Sequence, residues 1–275
     1  MICEKSLYLS NTCVTIGETT EMEPQYMKDF LHYFFGAGTQ QEFSLFTFAH
    51  FAPIAVMLLM IFCIRWKKES IRNSKHEETL RYVLAFALLM AEMSYYWRLI
   101  GCPELQPGPV ENLPIGVCGW AAIFCSYMLV GKKQLFFDIS YFWLLSGSLF
   151  ALLTPTVLNF TGPTRFRYYQ FWAAHTLTYV AVFYMIFVHG MRPTIRSAIR
   201  SYIALVVLAV IAYCVNSMIP GANYLYMARP EAAPSVLDIL PPNFALRITI
   251  MAAVITLLFA LAYYPWYRKD RRQAK

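Results

Sequence analysis

Apolar residues in this chain come in long runs rather than at alternating positions. Seven stretches hold about 20 mostly apolar residues each, the length an α-helix needs to cross a hydrocarbon core. They are 47–65, 80–99, 112–131, 135–155, 169–189, 201–219 and 246–265. A closed barrel would need many segments of roughly 9–11 residues with alternating polarity, a pattern this chain lacks. The runs therefore predict an all-α polytopic integral membrane protein with seven transmembrane helices. Residues 1–26 are polar and read as an N-terminal extension without the basic start of a signal peptide. Residues 27–46 read as an interfacial amphipathic segment, its helical part at 27–35. The seven-helix membrane domain runs over 47–267, and 268–275 form a basic tail. Between spans six and seven, Pro220, Pro230, Pro234, Pro241 and Pro242 forbid a continuous helix.

Composition narrows the function classes. The chain is 58% hydrophobic and only 14% charged, against about 25% charged in a soluble domain. A soluble enzyme is excluded, and so is a disordered chain, given a mean hydropathy of +0.45. The net charge of +7 is distributed by side rather than gathered into a stripe, so no nucleic-acid partner is expected. With the N-terminus outside, sixteen of the 23 Lys and Arg fall on the inner side. Lys5, Lys28, Arg98, Arg165, Arg167, Arg229 and Arg247 stay outside, which orients the chain N-terminus out and C-terminus in. The seven cysteines form no CxxC pair and no metal-ligand spacing. No metal and no cofactor are expected, and the disulfide state of Cys3, Cys13 and Cys102 is left open, as is the oligomeric state.

Polar side chains inside spans are costly, so each is a candidate for function. Cys118 and His175 each lie six residues in from the outer start of their span, at matching depth, about 9 Å at the helical rise. Glu92, His50 and Asn216 belong to the same outer layer, while Asp138 and His189 lie outside it. Each also has a plain structural reading. His50 suits an interfacial hydrogen bond, Glu92 a pairing with Arg98, Asn216 an interhelical amide bond and Cys118 an inert buried thiol. Joined together, they suit acyl transfer. A buried thiol is a poor nucleophile until a neighbouring imidazole accepts its proton, which assigns Cys118 as nucleophile and His175 as base. Glu92 or Asn216 would orient the imidazole.

Several runs resemble a known family. Asn112-Leu113-Pro114-Ile115-Gly116-Val117-Cys118 is similar to the Leu-Pro-x-His-x-Cys signature of the YwaF-like bacterial integral membrane proteins, with Gly116 standing where the signature has His. Tyr141-Phe142-Trp143, Ala151-Leu152-Leu153-Thr154-Pro155, residues 171–175, Arg192-Pro193, and Asn216 followed by Gly221-Ala222-Asn223-Tyr224 resemble further motifs, in order, over about 27–264. The resemblance implies a multi-pass protein of the bacterial plasma membrane. It also implies a distant likeness to a eukaryotic seven-helix acyltransferase that acts on ether lysophospholipids through a cysteine and a histidine. His175 matches that histidine. Cys118 lies three residues beyond the position of the nucleophile, near Ile115, and would share its helix face. Asn223 and Tyr224 join the pocket by the same resemblance.

The sequence reading is thus a membrane-embedded lipid acyltransferase with catalytic Cys118 and His175, and with His50, Glu92, Asn216, Asn223 and Tyr224 lining or orienting the pocket. Phospholipids and lysolipids would be its partners. A non-catalytic binding protein (lipid or small-molecule receptor, transporter or partner subunit) stays open beside it, as does a haem or metal site between His50 and His175. Gly147 and Ala151 form a small-xxx-small pair that suits close helix packing.

Overall fold

The computed structural model describes residues 19–36, 43–155, 161–229 and 236–273, with backbone alone for 19–24, 236 and 238. Cys3, Cys13, Pro230 and Pro234 lie outside these residues. The described chain is helical, with no strand: α1 Thr19–Phe35, α2 Phe48–Trp66, α3 Lys68–Arg72, α4 Glu77–Gly101, α5 Pro109–Asn112, α6 Val117–Gly131, α7 Gln134–Trp143, α8 Leu149–Leu153, α9 Phe166–Phe187, α10 Ile195–Met218 and α11 Phe244–Gln273. The interfacial segment expected at 27–35 is the second half of α1. Its exposed Tyr26, Met27, Phe30 and Leu31 give one apolar side.

Six stretches are long and apolar enough to cross a membrane: α2, α4, α5 with α6, α7 with α8, α10 and α11. The stretch predicted as the fifth span is helical, as α9, but it is too polar for that group. It carries Arg167, Gln170, His175, Thr176, Thr178 and four tyrosines. Its polarity has a structural reason. Thirteen of its 22 residues are buried, and it packs against α2, α4, α6 and α7. A helix surrounded by protein need not present apolar side chains to lipid.

Local sequence sets the boundaries near the end of the bundle that holds Cys118. Pro114 and Gly116 delay the start of α6 to Val117, with Gly116 as N-cap. Ile115 therefore precedes the helix, and the face it was expected to share with Cys118 does not exist. Between α7 and α8 the chain makes a π-helical turn over Leu144–Ser148, the one-residue expansion that often accompanies functional sites. Gly147 lies in that turn, and a β-carbon there would meet Val117 Cγ1 at 3.2 Å. The small pair thus serves packing within the chain. A reciprocal Thr194–Ser197 capping box starts α10.

The opposite end is tied by charge. Glu77 accepts from His189 Nε2 at 2.7 Å, from Tyr184 at 2.9 Å and from Arg81 at 3.2 Å. Asp138, fully buried, accepts from Gln134 at 2.7 Å and Arg200 at 3.3 Å, joining α7 to α10.

Candidate functional site

Cys118 occupies the first turn of α6, where main-chain N–H groups lack helical partners and the helix dipole favours negative charge. The Ser148 hydroxyl, at the end of the π-helical turn, donates to Cys118 Sγ at 3.4 Å. That turn is held in place from α9, since the Tyr179 hydroxyl donates to the Leu144 carbonyl at 3.0 Å. Glu92 reaches the same place from α4. A β-carbon at Gly119 would meet Glu92 Oε1 at 2.7 Å, so the carboxyl rests in the space that this glycine leaves next to Cys118.

Cys125, two turns along α6, lies 3.9 Å from the Thr178 carbonyl of α9. His175 Nδ1–H donates to the Phe171 carbonyl at 2.8 Å. Because a carbonyl only accepts, this bond fixes the tautomer and leaves Nε2 with a bare lone pair. Nε2 is buried and has no hydrogen-bond partner. Three residues earlier, the indole N–H of Trp172 is also buried and unpartnered. An unmatched acceptor and an unmatched donor therefore lie within one turn of α9. No hydrogen bond joins Cys118 to His175 among the described residues.

The other residues singled out from sequence are occupied elsewhere. His50 is 2% exposed; its Nδ1 accepts from the Phe46 N–H at 3.1 Å and its Nε2–H donates to the Leu152 carbonyl at 2.8 Å. Asn216 spends both ends of its amide on the Tyr224 backbone, at 2.7 and 3.1 Å. Asn223 Oδ1 accepts from the Ala228 and Arg229 N–H groups at 3.0 and 3.2 Å, shaping the loop before α11. Tyr224 donates its hydroxyl to the Val110 carbonyl, and burial pushes that phenol above its usual pKa. Arg98 holds the Phe35 and Gly36 carbonyls at 2.5 and 3.3 Å, capping α1. The cation whose charge reaches Glu92 is Arg167 of α9, which also acts on His175.

Sequence reasoning missed Ser148, Arg167 and the donor role of Trp172. Ser146-Gly147-Ser148, a small polar run inside an apolar span, was the available signal for the first. Among the described residues, no group of three or more His, Cys, Asp or Glu side chains converges as a metal site would.

The profile of the TMEM164 family matches residues 42–263. The chain belongs to the TMEM164 family. This family match encloses every residue of the site and all of the helices from α2 to α10. An uncharacterized protein of Treponema pallidum (strain Nichols) is 27% identical to this chain over 156 residues. That alignment covers 57% of this chain and 63% of the relative. No solved structure matches.

Proposed function

We propose that this protein is a multi-pass membrane acyltransferase that moves acyl chains between phospholipids and lysolipids through a thioester on Cys118. One observation carries the reading: His175 presents a buried, unpartnered Nε2 on α9, the helix that packs against α6, whose first turn holds the Cys118 thiol. Buried polar groups are nearly always paired, so an orphaned base suits a site completed by substrate. Catalytic hydrogen bonds are often unformed until substrate arrives.

The steps follow from these groups. The Cys118 thiol gives its proton to His175 Nε2, and the thiolate attacks the ester carbonyl of a donor phospholipid. As the tetrahedral intermediate collapses, the lysolipid alkoxide leaves with the proton from His175, and the acyl group stays on sulfur. An acceptor hydroxyl then gives its proton to His175 and attacks the thioester, releasing Cys118. Trp172 Nε1–H is the donor this reading assigns to the carbonyl oxygen. Ser148 steadies the sulfur. The resemblance to the eukaryotic ether-lipid acyltransferase supports His175, and the resemblance to the YwaF-like signature supports Cys118 as a motif position.

The same reading takes α9 as a seventh crossing, with the N-terminus outside, the C-terminus inside and the bacterial plasma membrane as location. The site then lies just below the outer headgroups, level with ester bonds. A cysteine placed at Asn73, in a background lacking Cys3, Cys13 and Cys102, should be shielded from a membrane-impermeant thiol reagent in intact cells. Labelling there would invert the orientation.

The deciding test is intact-mass spectrometry after incubation with a phospholipid of defined chain. Expected is a hydroxylamine-sensitive gain of one acyl mass, absent in Cys118→Ser. A gain that persists in Cys118→Ser would overturn the assignment of the nucleophile.

A further inference from the structure

Two surface hollows share the same make-up. The larger, about 420 Å³, is lined by Phe62, Arg65, Trp66 and Lys68 at the end of α2 and the start of α3. The smaller, about 210 Å³, is lined by Tyr267, Arg268, Arg271 and Arg272 near the end of α11. Both lie at the end of the bundle opposite Cys118. Arg65 stacks over Phe187 at the end of α9, with 5.6 Å to the ring centroid. Arg192, just beyond α9, pairs with Asp270 of α11.

The larger hollow is the better defined. No acidic side chain lines it. Arg65 forms no ion pair among the described residues. Glu69, the carboxylate 3.8 Å from Lys68, is drawn to Arg72 at 3.2 Å, and Arg72 is anchored on the Val188 and Phe187 carbonyls at 2.6 and 2.9 Å. The two lining cations are thus left short of negative charge. The ring side chains are laid open, Trp66 at 75% and Phe62 at 58% exposure. Above them, Val56, Leu58 and Leu59 continue an exposed apolar strip along α2.

We propose that this hollow binds the headgroup of an anionic glycerophospholipid. The phosphate lies between Arg65 and Lys68, the glycerol region beside Trp66 and Phe62, and the acyl chains along the strip on α2. Cations match the phosphate, and aromatic side chains settle at headgroup level. A free phosphate would use the cations and leave the rings and the strip without a partner. The lipid source is therefore favoured. The site is separate from the chemistry proposed for Cys118.

The test is native mass spectrometry of the full chain released from bilayer discs of equal phosphatidylglycerol and phosphatidylcholine. Wild type should retain phosphatidylglycerol in preference, and Arg65→Gln with Lys68→Gln should lower that preference about tenfold. Arg65→Lys should keep most of it. Equal retention of the two lipids by wild type, or an unchanged preference in the double variant, overturns the proposal. Should the double variant not fold, wild type alone decides. Raising the salt must weaken retention of phosphatidylglycerol and spare phosphatidylcholine, and insensitivity to salt overturns the site. Free glycerol phosphate must fail to displace the lipid; displacement at equal concentration would reassign the hollow to soluble phosphates.

Discussion

His50 packs its ring 5.8 Å from that of Trp172, and His175 follows Trp172 by three residues on α9, so the two imidazoles share a neighbourhood. Their hydrogen bonding differs in one respect. Both nitrogens of His50 are matched, one to the Phe46 N–H and one to the Leu152 carbonyl, which ties α2 to the end of α8. His175 has matched one nitrogen and left the other bare. Burial of a polar group without a partner costs stability. A residue that stabilises the fold spends its capacity within the chain, and one kept for a substrate holds some back.

The same substitution at both positions sharpens the contrast. His175→Leu should lower acyl transfer about 10²- to 10⁴-fold, the range for a lost general base, while the melting temperature in detergent holds or rises. A large fall in melting temperature would make His175 a structural residue instead. Trp172→Phe should cost on the order of 10²-fold in kcat with KM little changed, as for one oxyanion donor. The smaller ring also gives up packing against His50 and Tyr168, so kcat is compared per folded molecule. Next comes His50→Leu, expected to behave in the opposite sense. It leaves an N–H and a carbonyl unpaired, at about 1–3 kcal/mol each, and should lower the melting temperature while activity per folded molecule persists. The smallest effect belongs to Ser148→Ala, a few-fold slowing of Cys118 alkylation, on the scale of about 1 kcal/mol for one hydrogen bond. Unchanged alkylation kinetics would detach Ser148 from the thiol.

The helical architecture was legible because spanning segments announce themselves by length and apolarity. Spans at 47–65 and 80–99 sit within a residue or three of α2 and α4. Sequence could also nominate Cys118 and His175 as costly polar residues in apolar runs. It could not read how hydrogen bonds are distributed. His50 and His175 look alike in the chain, and so do Asn216 and Asn223 among loop and helix amides. Their roles depend on which carbonyl or N–H the tertiary structure brings near. Nor did the pairing expected for Glu92 depend on chain proximity: Arg98 is six residues away, yet it caps α1, and the cation that reaches Glu92 is Arg167 from a different helix. The π-helical turn was hidden for a related reason, since Leu144–Ser148 reads as uninterrupted helix until Tyr179 and Val117 pack against it.

The polarity of α9 bears on how the chain is made. An isolated helix with Arg167, Gln170 and His175 would partition poorly from the translocon into lipid. The four partners that bury it, α2, α4, α6 and α7, are all synthesised before it. Its cover is therefore already in the membrane when it emerges. The order of helices along the gene is, on this view, an assembly schedule in which the member least able to enter lipid alone arrives last among its own neighbours.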